Sequence, residues 1–354
     1  MRVNSFFSDV DLAPGVTPDS CDLDVSLRVR YFPGVSKLLI GVLSALISTN
    51  QETVVSNLVA QTTGISVDVA NPNNPIEKEY LNLLAEDDAA QAEVDKWILE
   101  SRTSTNAPSA TLNLRIDQRF ASVKKSYTEF LRRNPKHVRA HLAYGSFLQE
   151  IREEEEGVKH WEKARELDPK NPAAWNNLAN YYGHRSPVKK SFEYYAKAIE
   201  LNPNEPVYHW NFATTAYLFR KDAMEFYQIN ETQVFDKALD LYRAAMKLAP
   251  NDFILATDYA QSFYGTKPPR YKEGLTAWTD VMKIARDEIE RDGVRIHLGR
   301  IHWKLGEFDE ARKQLSAITN EMYTPTKTKL LRNIEESEGK AKETNAVPSV
   351  TSQK

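Results

Sequence analysis

The chain has 354 residues, 46 basic and 49 acidic, and a formal net charge of −3, so it lacks the basic excess that gripping a phosphate backbone requires. Its one cysteine, Cys21, excludes an internal disulfide framework and any zinc site built of cysteines. With 41% hydrophobic and 27% charged residues, the composition is that of a soluble protein long enough for two folding units or one elongated array.

Residues 1–34 hold Pro14, Gly15, Pro18, Pro33 and Gly34 and little helical periodicity. Alternation at Leu23, Val25, Leu27 and Val29 permits a short strand, but no second strand pairs with it, and the segment is read as a disordered or loose tail. Residues 35–61 carry the longest apolar run, Leu38 to Ile47, behind Lys37. Ten helical residues rise only ~15 Å, half of a hydrocarbon core, so a conventional transmembrane span is not expected. Two readings stand: a signal or anchor segment at 35–50, or a buried amphipathic helix with Leu39, Leu43, Leu46 and Ile47 on one side. Under the first, Val35-Ser36-Lys37 has the form of a signal start in bacterial genes that initiate on a valine codon, and the mature protein is exported or periplasmic; under the second it is cytoplasmic. Membrane contact is expected only through 35–50.

Residues 62–111 read as a loop followed by a helical extension. Pro75 suits a first helical turn with Asn74 as its cap, and Ile76, Tyr80, Leu83, Leu84, Val94, Trp97 and Ile98 supply the apolar positions. Glu86-Asp87-Asp88 reads as a solvated face. Leu112–Arg133 forms a further helix through Phe120, Val123, Tyr127, Phe130 and Leu131, its partner helix degenerate or absent.

From 112 onward the chain repeats itself. Pro135, Pro169 and Pro203 recur every 34 residues, as do Trp161 with Tyr195, Ala164 with Ala198 and Leu167 with Leu201. The clearest copy, 172–205, reads Trp175-x-x-Leu178-Ala179-x-x-Tyr182, then Ser191, Tyr195, Ala198 and Pro203. This period and pattern resemble the tetratricopeptide repeat, a helix–turn–helix unit. Ala179 stands for the usual glycine and Ser191 for the usual alanine, and both stay small enough for close helix approach. The copies run 138–171, 172–205 and 206–252, then more weakly 253–291 and 292–325, with a capping helix at 327–336 and a disordered tail at 337–354. Pro250 comes 47 residues after Pro203, so the third copy holds 13 extra residues near 220–233. The implied fold is all-α: a right-handed α-solenoid over 112–336 with a helical N-terminal extension. Trp161, Trp175, Tyr195, Tyr242 and Trp278 are expected in its core, fitted against small residues of adjoining helices.

No phosphate-cradling glycine loop, nucleophile elbow or zinc-protease motif occurs in the chain. His297 and His302, five apart on a helix, do not share a face and are read as packing or groove histidines. Neither catalysis nor a metal or cofactor is expected.

The resemblance implies an interaction scaffold whose first helices line a concave groove for a peptide. The family's groove positions fall on Arg139, Leu142 and Ser146 in one copy, on Asn176, Asn177, Asn180 and His184 in the next, and on Trp210, Asn211, Thr214 and Tyr217 in the third. Asn176, Asn180 and Trp210 are expected to point into the groove, with Trp210 beside Asn176. Alternatively the asparagines bridge neighbouring first helices, and Trp210 is a core residue. Leu142, Val207 and Asn211 stand where the chaperone-binding subclass carries lysines and an arginine, which argues against a carboxylate clamp. The partner is a protein or peptide, not nucleic acid. An alternative function is that of an assembly or envelope-complex subunit that docks a folded partner through its outer surface and the insertion near 220–233.

Overall fold

The computed structural model describes residues 74–103, 109–185 and 187–346. The expected tail and the apolar segment at 35–61 lie outside the described residues. Within them are fourteen α-helices and no strand. The first two, α1 (Pro75–Thr103) and α2 (Ser109–Arg133), form an antiparallel hairpin. Asn74 Oδ1 accepts from the Ile76 amide at 3.0 Å, satisfying one of the orphan donors at the start of α1. The hairpin is tied by Arg119 to Glu93 at 2.6 Å near one end and by Arg133 Nη1 to Glu79 at 3.1 Å near the other. The partner that the sequence left missing for α2 is therefore α1, a 29-residue helix too long and too weakly patterned to register as half of a 34-residue repeat. Asp87 is not on a solvated face. It is buried and accepts from the equally buried Tyr127 hydroxyl at 2.7 Å, because Tyr127 needs an acceptor inside the hairpin.

Five antiparallel pairs follow: α3 (Val138–Glu150) with α4 (Glu154–Leu167), α5 (Pro172–Gly183) with α6 (Lys189–Leu201), and α7 (Pro206–Leu218) with α9 (Glu231–Leu248). Then come α10 (Phe253–Ser262) with α11 (Tyr271–Ile284) and α12 (Glu288–Leu305) with α13 (Phe308–Ser316). The extra residues of the third pair make α8 (Arg220–Tyr227), whose Phe226 ring lies 5.5 Å from that of Phe192 on α6.

Repetition is visible at atomic detail. His141 Nε2, Trp175 Nε1 and His209 Nε2 each donate to a proline carbonyl six residues earlier, Pro135, Pro169 and Pro203, at 3.0, 2.8 and 2.9 Å. A carbonyl can only accept, so both histidines carry the proton on Nε2. The fourth residue of each first helix thus ties it to the end of the preceding unit. Close helix approach depends on small residues. A Cβ on Gly145 would lie 2.5 Å from the Trp161 ring, and one on Gly157 would lie 2.7 Å from the Gly145 carbonyl oxygen. Trp161, Tyr195, Tyr242 and Trp278 are all buried, as the repeat pattern expects. Trp175 departs from it. It is half-buried, set edge-on to Tyr194 at 5.1 Å beneath the Arg165 guanidinium, because its indole N–H must reach Pro169 at the rim.

No pair encloses its own core. Tyr127, Phe130, Tyr144 and Phe147 join the hairpin to the first pair. Tyr195, Phe212 and Val234 join the second to the third, and Trp210, Tyr242 and Leu255 the third to the fourth. Fully burying one such side chain contributes about 1.5–3 kcal/mol, and each contribution needs the neighbouring unit in place. The result is an α-solenoid. Its end is closed by α14 (Thr324–Ala346), which lays Leu330 and Ile334 on Ile296, Leu315 and Ile318. That helix outruns the expected 327–336 and takes in part of the expected disordered tail. Trp303 donates to Ser337 at 2.9 Å and Arg312 to Glu338 at 2.9 Å, which anchors residues beyond 336.

Candidate interaction surface

The first helices of successive pairs touch directly. Asn211 Nδ2 on α7 donates to Asn176 Oδ1 on α5 at 3.1 Å, and Trp210 Nε1 on α7 donates to Asp258 Oδ2 on α10 at 3.0 Å. Two neighbours on one helix therefore bond in opposite directions along the array, so α5, α7 and α10 stand as one row.

This arrangement decides where the candidate residues lie. Asn176 and Asn180 are only 5% and 8% exposed and do not present free amides. Asn180 Oδ1 accepts from Tyr195 at 2.6 Å, and Tyr195 in turn accepts from Thr215 Oγ1 at 3.1 Å. Three helices, α5, α6 and α7, are linked by that relay, and burial pushes the Tyr195 hydroxyl's pKa well up. Asn176 bridges neighbouring first helices through Asn211, whereas Asn180 is tied to the second helix of its own pair and reaches α7 only through Tyr195. Trp210 is 7% exposed, packed with Ala213, Tyr242, Ala245 and Leu255, and its neighbour across the row is Asp258 rather than Asn176. It is a core side chain, closed over by the next pair and hydrogen-bonded to Asp258 there.

The remaining candidates keep accessible surface. Asn177, Asn211, Thr214 and Tyr217 are half-exposed along α5 and α7, and His184 is exposed at the end of α5. Thr214 Oγ1 shares a hydrogen bond with Tyr242 at 2.9 Å, and the Tyr217 ring packs on Phe235 at 5.6 Å. On α3, Leu142 and Ser146 are half-exposed, Ser146 turning its hydroxyl back to the Leu142 carbonyl at 3.1 Å. Arg139 is drawn to α1, ion-paired with Glu77 and lying over the Tyr80 ring.

Two groups on α10 join this surface without having been singled out in the sequence. Asp258 is half-buried, and burial lifts its carboxyl to about 7 against the opposing effect of the Trp210 hydrogen bond. Gln261 is 6% exposed, and its Oε1 accepts no hydrogen bond. The signal was there: Asp258 and Gln261 lie 47 residues after Asn211 and Thr214, the same interval that separates Pro250 from Pro203.

Of the two histidines considered for metal, His297 stacks on Trp278 with ring centroids 4.0 Å apart, hydrogen-bonds Tyr264 at 3.1 Å and is held neutral by burial, its pKa pushed down to about 3. His302 pairs with Glu307 at 2.6 Å. Among the described residues no group of three or more His, Cys, Asp or Glu side chains could hold a metal ion, and no helix is long and apolar enough to cross a membrane.

Comparison with known proteins bears on the repeat. Residues 172–205 match the model of the tetratricopeptide repeat. Over 150 residues the chain is 27% identical to the photosystem I assembly protein Ycf3 of Rippkaea orientalis, covering 41% of this chain and 87% of that one. It is also 27% identical over 140 residues to a tetratricopeptide repeat-containing protein of Methanocaldococcus jannaschii, covering 39% of this chain but only 21% of the relative, so it spans about a fifth of that protein's length. Among solved structures it is similar to PilW, a type IV pilus biogenesis factor, with a TM-score of 0.47 and 13% identity over 63% of this chain and 96% of that chain.

Proposed function

Since the chain is a tetratricopeptide repeat protein, we propose that it is a non-catalytic scaffold that holds a peptide segment of a protein partner along the concave row of its first helices. The observation that carries this reading is the division of labour within the row. Asn176, Asn180 and Trp210 are spent on holding helices together, while Ser146, Asn177, Thr214 and Tyr217 between them stay half-exposed and polar. Such a surface is pre-organised by its own buried network, which lowers the ordering cost of capturing an extended segment. Amides and hydroxyls can bond a peptide backbone whatever its side chains.

The alternative, a folded partner docked on the outer surface and the insertion, has less to use. Phe226 and Tyr227 of α8 are committed to packing on Phe192, and the acids of the open depression beside His209 are paired, Asp236 with Arg270 and Asp240 with Arg243. The similarity to an assembly protein fits either form of scaffold. Paired variants separate the two: Asn177→Trp on the first-helix row and Glu193→Trp on the exposed side of α6, each used as bait in cells that make the protein. Partner recovery should fall with the first and persist with the second, and the reverse pattern would favour the outer surface.

A further inference from the structure

We propose that the row carries a subsite for a basic side chain, with arginine its best occupant, centred on Asp258 and completed by Gln261. The proposal rests on the reading of the row as a peptide-binding groove and names the chemistry one part of it selects.

The argument starts from what surrounds the Asp258 carboxylate. A carboxylate has about four lone-pair sites, and here one donor, the Trp210 indole N–H at 3.0 Å, fills one of them. The charged or titratable groups that act on it are Asp252 at the cap of its own helix, which is repulsive, and Tyr242 on α9, which is uncharged. Among the described residues no lysine or arginine lies within ion-pairing distance of it, whereas Asp236 and Glu273 are paired with Arg270, Asp240 with Arg243 and Glu290 with Arg286. A second acceptor sits three residues on. Gln261 falls on the same face of α10 as Asp258 by helical spacing, and its Oε1 is buried without a donor. Buried acceptors left unpaired are rare because each forfeits its hydrogen bond to water.

Two acceptors three residues apart, one a carboxyl with a single internal donor that is charged above about pH 7 and the other with no donor, fit a ligand that brings several donors and a positive charge. The planar guanidinium offers five donors in a fixed fork and can serve a carboxylate and a neighbouring amide together. Access is provided by the half-exposed Asp258 itself and by the exposed Ile254 one turn earlier.

The test uses the full chain and three dye-labelled twelve-residue peptides in which alanine alternates with arginine, glutamine or glutamate, with binding read by fluorescence anisotropy at low salt. The arginine peptide should bind tightest, and Asp258→Asn, which preserves an acceptor for Trp210, should weaken it at least tenfold while leaving the glutamine peptide within twofold. On the unaltered protein N-acetylarginine amide should displace the arginine peptide and N-acetylglutamine amide should not, a comparison that stands even if the variant folds poorly. Equal binding of the arginine peptide to both proteins, preference for the glutamate peptide, or indifference to N-acetylarginine amide would overturn the subsite. The groove itself is tested apart by Asn177→Trp, which should weaken every peptide regardless of charge. Failure of all three peptides on the unaltered protein would overturn both readings.

Discussion

Replacing Gly145 by alanine sets two physical effects against each other. Helix propensity alone favours the change by about 0.8–1 kcal/mol, since Gly145 lies inside α3. Packing opposes it. The new methyl would lie 2.5 Å from Trp161 Cδ1 and Nε1 and 2.8 Å from the Gly157 carbonyl oxygen, roughly an ångström inside ordinary contact on two sides. Neither neighbour yields easily. Trp161 is fully buried and pinned by its indole N–H to the Leu142 carbonyl at 3.1 Å, and the Gly157 oxygen is helix backbone. Overpacking of this kind costs about 1–3 kcal/mol, and loss of the Trp161 hydrogen bond adds about 1 kcal/mol. The net expectation is a destabilisation of about 1–3 kcal/mol in urea unfolding followed by far-UV circular dichroism. Gly339→Ala, on α14 with nothing within 4 Å of its Cβ, is the control and should gain up to about 1 kcal/mol from propensity alone. If Gly145→Ala is as stable as the parent or more so, α3 and α4 do not approach as closely as described, and the account of small residues at the repeat crossing fails.

Trp210→Ala should cost about 3–5 kcal/mol and lower the melting temperature by many degrees, whereas Trp175→Ala, at a half-buried rim position, should cost no more than about 2 kcal/mol. His297 is held neutral with a pKa of about 3 against 6.5 unfolded, so the unfolded chain takes up its proton first and stability falls as pH drops below about 6.5, by up to about 1.4 kcal/mol per unit from this group. His297→Phe should flatten that acid limb in melting temperatures taken from pH 7 to pH 4. Asp258 has the opposite sign: its carboxyl titrates near 7 when folded and near 3.8 when not, so the folded state holds the extra proton and stability declines as pH rises between those values. Asp258→Asn should therefore stabilise the fold at pH 8 by on the order of 2 kcal/mol, read as a higher melting temperature, and change it little at pH 3.5. Gly306, at φ 78° with its amide donating back into the last turn of α12, should lose about 1 kcal/mol as Gly306→Ala.

The repeat units were legible because close packing imposes a fixed interval. Gly145, Ala179 and Gly299 must recur where helices cross, and proline must recur where second helices stop, so Pro135, Pro169 and Pro203 mark the register without any structure. Directions within a helix were less legible. A tryptophan at position 210 satisfies both a groove pattern and a core pattern, and the choice is made by Asp258, a residue 48 positions away that offers its indole an acceptor. Asp87 looked solvated for the same reason, since only the antiparallel pairing of α1 with α2 brings Tyr127 to it. The extra helix α8 could be sized from the interval between prolines, but its docking on Phe192 could not.

The claim that the row of first helices is where the partner lies is tested most directly by photo-crosslinking in cells that make the protein. A benzophenone amino acid would be placed at Ser146, Asn177 or Thr214 on the row and, in separate chains, at Glu193 or Lys247, exposed on second helices. The account predicts one common adduct from the three row positions and none of that mass from the other two. The same adduct from Glu193 and Lys247, with the row positions silent, would contradict it.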